Sequence, residues 1–218
     1  MNSKTYIYFH ICCINNWETV VSDLFQAIRD SGLYDEVTEI RCGILGLSIG
    51  EDLSHPMLKD PKVKIMFHST DLFAYERPTL ERIHLHCTVT QEPISILYIH
   101  SKGVRHGGEN PCVSDWTSYL THFNITRFRE CLANLAHCDV VGVNLQHQPR
   151  THFSGNFWWS HSDYIKKLDK FIEPSYNGPE FWITQQQKNG DFGLFYSLNN
   201  SRVNHYEERF TPDKYINI

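Results

Sequence analysis

Long apolar runs are missing from this chain. The longest near the N-terminus, Tyr6 to Ile14, is broken by His10 and is too short to cross a bilayer. It has neither a basic flank nor a small-residue cleavage site, so no signal peptide and a cytoplasmic location are expected. The sequons Asn124-Ile125-Thr126 and Asn199-Asn200-Ser201 then read as chance matches. A basic excess is missing too. The formal net charge is -5, which argues against nucleic acid as a partner. The seven cysteines are odd in number and form no CxxC pair, which points to reduced thiols rather than a disulfide framework. The Walker order GxxxxGK[ST] and the dinucleotide fingerprint GxGxxG are both absent. No repeat, low-complexity tract or Pro/Gly linker divides the chain, so residues 1–218 are expected to form one domain.

What is present alternates between two periods. Thr5 to Ile14 reads as a buried first strand, and Asn15 as an N-cap with Glu18 in the capping-box position. Trp17, Val20, Val21, Leu24 and Ile28 share one helical face, and Gly32 is the stop signal. Strands are expected over Thr38–Leu47, Val63–His68, Ile94–His100 and Val140–Leu145, with a polar loop from Gly50 to Asp60. Ile94–His100 is uniformly apolar and should be central. Helices are expected from Pro78, from a cap at Ser114, from Thr126, over Asp163–Phe171, and from Pro179 to Gly190. The last 28 residues give no assignable pattern. Strands alternating with helices imply an α/β fold: a mixed, mostly parallel sheet with helices on both faces.

In open α/β sheets ligands gather at the carboxyl ends of the strands. There the central strand runs into His100-Ser101-Lys102-Gly103-Val104-Arg105-His106-Gly107-Gly108. Such a loop brings cations and backbone N–H groups to a diphosphate, or is simply a solvated Gly-rich turn. Further on, Gly155-Asn156-Phe157-Trp158-Trp159 suits a flat sugar or base, or else an aromatic core strand turning a corner. Glu76, Asp115, Asp163 and Glu180 are carboxylates available for base work. Asp115 and Glu180 also have a plain reading, as charges complementing a helix dipole. His84-x-His86-Cys87 lacks the second ligand pair that a structural zinc site needs.

Several of these segments belong together. Tyr98-Ile99-His100-Ser101-Lys102-Gly103-Val104, Trp116, Asp139-Val140-Val141-Gly142-Val143-Asn144 and His152-Phe153-Ser154-Gly155-Asn156-Phe157-Trp158-Trp159 occur in that order. Together they resemble a family of GT-A-type glycosyltransferase-like proteins of large DNA viruses and microbial polysaccharide synthesis. Tyr75-Glu76 and Pro78-Thr79-Leu80 also fit, and the likeness runs from Tyr6 to about Trp182. It implies a GT-A-like (Rossmann-like) single domain, with a nucleotide-sugar half over about 1–105 and an acceptor half over about 106–218. The implied reaction moves a sugar from a nucleoside-diphosphate sugar to a hydroxyl of a glycan or glycoprotein, in host cytoplasm if the protein is viral.

By position, Ile11 and Asn15 would meet the nucleotide, while Glu76 and Thr79 would lie at the donor-side helix. His100, Lys102, Trp116 and Asn144 would contact substrate, and Gly155, Asn156 and Trp158 would shape the sugar and acceptor pocket. Glu180 stands where many such enzymes keep a carboxylate base, with Asp115 as a second candidate. One departure matters: the Asp-x-Asp that usually holds Mn²⁺ or Mg²⁺ is replaced by His100-Ser101-Lys102. Either Lys102 neutralises the leaving diphosphate itself, or His100 helps bind a metal. The alternatives to a transferase are a non-catalytic carbohydrate- or nucleotide-binding module and, more remotely, a metal-dependent hydrolase built on the histidines.

Overall fold

A computed structural model describes residues 4–46 and 55–216. In chain order the strands are β1 (Lys4–Cys12), β2 (Val37–Leu45), β3 (Val63–Ser69), β4 (Ile94–His100), β5 (Val140–Gly142), β6 (Leu145–Gln146), β7 (His152–Phe153), β8 (Trp158–His161) and β9 (Phe195–Ser197). The helices are α1 (Trp17–Asp30), α2 (Leu33–Glu36), α3 (Arg77–Val89), α4 (Pro111–Thr121), α5 (Phe128–Leu135), α6 (Ser162–Ile165) and α7 (Gly178–Trp182). Among the described residues, seven strands form one sheet in the order β3-β2-β1-β4-β8-β5-β9. Neighbours pair in parallel except at β8, which runs antiparallel to β4 and β5. The sheet is thus mixed and mostly parallel, with β4 at its centre.

Period-2 alternation splits the core in two. Ile7, Phe9 and Ile11 of β1 and Leu97 and Ile99 of β4 face one layer, where α1, α4 and α5 pack. Tyr8, Ile96 and Tyr98 face the other, against Leu80, Ile83 and Cys87 of α3 and Trp182 of α7. Phe157 and Trp159 join the first layer and Trp158 the second. All three are fully buried. The aromatic run is therefore a core strand with both faces covered. Trp159 Nε1 donates to Asn124 O (2.8 Å), and Trp158 Nε1 to Asn156 Oδ1 (3.1 Å), which removes the desolvation penalty of each indole.

Several expected boundaries move, for local reasons. Asn15 is not the cap of α1. It takes φ +49°, and its Nδ2 donates to Val104 O (2.8 Å), while Asn16 holds the cap position without a side-chain bond. Ser114 lies inside α4. The cap is Asn110, whose Oδ1 accepts from the N–H groups of Cys112 and Val113, with Pro111 opening the helix. Thr126 ends a π-helical turn (His122–Thr126) rather than capping α5. The strand expected over Val140–Leu145 breaks at Asn144, whose φ is +54°. The helices expected over 163–171 and 179–190 shorten to α6 and α7. β2 ends at Leu45, and Leu47 and residues 50–54 of the expected loop lie outside the described residues. The unassigned C-terminal stretch supplies β9 and puts Phe210 and Tyr215 against Tyr119.

At Gly43 of β2, a Cβ would overlap Thr79 Oγ1 and the Phe67 ring. Gly43→Ala should therefore lower unfolding free energy by about 1–3 kcal/mol in urea melts, the usual range for overpacking. A loss below about 0.5 kcal/mol would show that β2 and α3 are not packed as described.

Candidate functional site

The carboxyl ends of β1 and β4 open into a cleft of about 610 Å³. Its floor is made by Glu76, His100, Lys102 and Glu180, with Trp116 and Asn156 along the sides. Parallel neighbours end on the same edge of a sheet, which is why the loops after β1 and β4 meet there. They are also tied together: Cys12 N donates to Ser101 Oγ (2.9 Å), and Ser101 N to His10 O (2.9 Å). Gly103 and Gly107 take positive φ, which lets the Lys102 loop double back beside α4.

One peptide joins the walls. His100 Nε2 donates to Gly155 O (3.0 Å), and Gly155 N donates to Glu180 Oε1 (2.8 Å). Gly155 has φ +97°, and a Cβ there would stand 2.7 Å from Leu120 and 3.1 Å from the Trp116 indole nitrogen. No other residue fits. On the far wall, Lys102 Nζ sits 3.7 Å over the Trp116 ring, a cation–π contact. His205 stacks behind Trp116 at 5.1 Å and 7°. The side chains of Asn144 (2.9 Å) and Ser201 (2.7 Å) hold His205 Nε2.

Burial dominates the electrostatics. It pushes the Glu76 carboxyl up to about 7; Lys102 opposes the rise and Glu180 adds to it. Burial, reinforced by Lys102, pushes His100 down to about 3. The Lys102 ammonium is lowered by burial and supported in its charge by Glu180 and Glu76.

The expected site residues divide on this geometry. Glu76, His100, Lys102, Trp116, Asn156 and Glu180 line the cleft together. Gly155 does not line it, and its peptide instead joins two residues that do, His100 and Glu180. The others are corrections. Ile11 is fully buried in the core; Cys12 and Ile14 line the cleft instead, because alternation turns Ile11 under the sheet. Thr79 is fully buried, bonded to His10 Nδ1 (2.8 Å). Trp158 belongs to the core, while Asn15 ties two loops and Asn144 acts from behind through His205. Asp115 is not free for base chemistry, since both its oxygens accept from the Arg209 guanidinium. Tyr75, Tyr176 and Tyr206 at the rim, and His205 behind it, were not singled out. The first has a readable sign only in coordinates, its strained φ of +49°.

Among the described residues the side chains form no cage of their own for Mn²⁺ or Mg²⁺. Among the described residues no three His, Cys, Asp or Glu groups converge, and His100 Nε2 is occupied by Gly155 O. The ammonium of Lys102 is the cation on which Glu180 and Glu76 act. The segment Gly46-Leu47-Ser48-Ile49-Gly50 spells Gly-x-Ser-x-Gly after β2, and its residues 47–50 lie outside the described residues. No described helix is long and apolar enough to cross a membrane.

Two buried histidines, His10 and His205, and two half-buried ones, His86 and His100, set an acid limit. His10 and His100 are held near 3, and His86 and His205 near 4, all by burial first, against 6.5 when free. The unfolded chain therefore binds more protons below pH 6.5, and stability falls as pH drops from there towards 3 to 4. Urea midpoints should fall steadily over that window, and a flat profile would contradict neutral burial of these rings.

Among solved structures, the chain is similar to HddC from Yersinia pseudotuberculosis, at 9% identity over 89% of this chain and 90% of that one, with a TM-score of 0.49. It is also similar to 4-diphosphocytidyl-2C-methyl-D-erythritol synthase, at 10% identity over 98% and 96%, with a TM-score of 0.44. Neither likeness is close enough to inform on activity. No curated protein matches the sequence. A family model does, over residues 14–195, which takes in the whole cleft except Cys12 and Tyr206, and the chain belongs to that family, described as Domain of unknown function (DUF8361).

Proposed function

We propose that the cleft binds a nucleoside-diphosphate sugar and transfers its sugar to a hydroxyl of a glycan or glycoprotein acceptor. The observation that carries this reading is Lys102, half-buried on Trp116, with the carboxyl groups of Glu76 and Glu180 acting on its charge. A fixed cation in a partly desolvated cleft stabilises a departing diphosphate, the role a metal plays elsewhere. The GT-A-like reading assigns the donor to about residues 1–105 and the acceptor to about 106–218, and Lys102 stands at the junction.

Glu180 is the base in this scheme. One oxygen is fixed by Gly155 N–H, and the residue lines the cleft. The carboxylate takes the acceptor hydroxyl proton as the acceptor oxygen bonds to the anomeric carbon. The bond from that carbon to the diphosphate breaks, and the nucleoside diphosphate leaves with its electron pair against Lys102. One base opposite one leaving group gives inversion. Asn156 and Trp116 bound the space for the sugar. The scheme assigns the metal's usual role to Lys102.

Release of nucleoside diphosphate from a panel of nucleotide sugars, read with and without Mn²⁺, is the test. Lys102→Ala should lower turnover or donor affinity by about 10²-fold or more while leaving the melting temperature nearly unchanged. Glu180→Gln keeps the bond to Gly155 N–H and removes the base, and should lower turnover by about 10²–10⁴-fold. Full activity in Lys102→Ala would overturn the role given to it. Thermal stabilisation by a donor with no diphosphate release would identify a binding module instead.

A further inference from the structure

We propose that the Trp116 indole N–H and the Asn156 side-chain amide are the donors that read the transferred sugar, each giving a hydrogen to a hydroxyl oxygen of the sugar ring. The inference rests on the reading of the cleft as a nucleotide-sugar site and adds the groups that tell the sugar from the bare nucleotide.

Both groups are left open by the protein. Trp116 and Asn156 are each 3% exposed, and neither Trp116 Nε1 nor Asn156 Nδ2 has a hydrogen-bond partner. Among the described residues, seven buried side-chain nitrogens and oxygens lack a partner, and only these two belong to residues that line the cleft. A buried donor without an acceptor carries its full desolvation cost, so each one in a native fold calls for an explanation. Neither is relieved by turning the group over. Trp158 Nε1 can only donate and holds Asn156 Oδ1 at 3.1 Å, which fixes Nδ2 as the free end of the amide. The Trp116 ring is set by the stacked His205 ring at 5.1 Å and by the Lys102 ammonium, 3.7 Å from its centroid.

The two donors also share a place. Trp116 Nε1 stands 3.1 Å from where a Cβ on Gly155 would lie, and Asn156 is the next residue. Lys102 lies over the face of the indole, whereas Nε1 leaves from its edge. The sugar is the group next to a diphosphate held at Lys102, and an indole and a sugar ring are of similar width. Two groups that only donate call for oxygen lone pairs. Glu180 is bonded to the N–H of the same Gly155 (2.8 Å), and as the base of the scheme it would repel an anionic oxygen there. A sugar hydroxyl accepts without carrying charge, which suits both neighbours. Both nitrogens are covered in the ligand-free cleft, so the sugar arrives with a small opening of the rim. Tyr206 lines that rim edge-on to the indole at 5.2 Å and is 45% exposed, which leaves it free to move.

Two measurements on the whole chain test this. In ¹⁵N-labelled protein, the Trp116 indole and Asn156 side-chain amide signals are assigned by their loss in Trp116→Phe and Asn156→Asp. UDP-glucose, UDP-galactose and GDP-mannose are then titrated beside UDP and GDP. A nucleotide sugar that binds should move both signals, and its bare nucleoside diphosphate should leave them in place. Equal movement by the bare nucleotide would give the two donors to the diphosphate and overturn the proposal, as would a bound nucleotide sugar that moves neither. Calorimetry supplies the second readout. Trp116→Phe keeps an aromatic ring beneath Lys102 and removes the N–H, so it should weaken nucleotide-sugar binding by about fivefold or more and leave the bare nucleotide within about twofold. A loss of equal size for both ligands, or for neither, would overturn the role given to the indole N–H. If none of these ligands binds the wild-type chain, the nucleotide-sugar reading itself fails and the proposal fails with it.

Discussion

The cleft depends on the peptide of Gly155. Its N–H is held by Glu180 of α7, its carbonyl by His100 at the end of β4, and its Cα lies against Leu120 and Trp116 of α4. Three elements distant in sequence thus meet at a residue with no side chain. Any Cβ would push α4 away or break the φ of +97°, and either shift displaces a carboxylate, an imidazole or the indole under Lys102. The adjacent core aromatics explain why the corner stays rigid: Phe157, Trp158 and Trp159 anchor β8 on both faces of the sheet.

That clamp also sets the chemistry. By fixing one hydrogen of His100, the Gly155 carbonyl decides which nitrogen faces Glu76. By bonding to one oxygen of Glu180, the Gly155 N–H fixes where that carboxyl group stands in the cleft. Two carboxylates beside the same lysine are thereby given unequal environments. Glu180 is bonded to the Gly155 N–H, and Glu76 stands 3.7 Å from Nδ1 of His100. Unequal environments are how paired carboxylates divide acid and base roles.

Much of the fold was legible in the sequence because strands buried on both faces read as continuous apolar runs. β1 and β4 appear close to where that pattern puts them, and β4 is central as its composition implies. The second half was harder. Asn144 and Asn156 adopt positive φ without the glycine that normally announces it, so a strand that looks continuous is cut. Helices α6 and α7 are short because tertiary contacts hold them, such as the bond from Trp182 Nε1 to Asp169 O, and such bonds leave no periodic trace.

The site was legible in its charges and illegible in its supports. Lys102, Glu76 and Glu180 declare themselves as ionisable groups near strand ends, whereas Asp115 declares itself equally and is held by Arg209, 94 residues away. A carboxylate's partner is a tertiary fact. The same holds for Trp158 and Trp116: two buried tryptophans with similar claims, of which only Trp116 also lines the cleft. What separates them is strand parity against helix face. Trp158 sits in β8, packed on both faces, so its indole is turned inward whatever the ligand. Trp116 sits on α4, where one face packs on Leu120's layer and the other is left to Lys102. His205 stacks on the same ring. A stacked imidazole against the indole helps fix the plane on which Lys102 rests. The lysine's position is therefore set by the C-terminal stretch, which carries none of the sequence signals that mark the rest of the site.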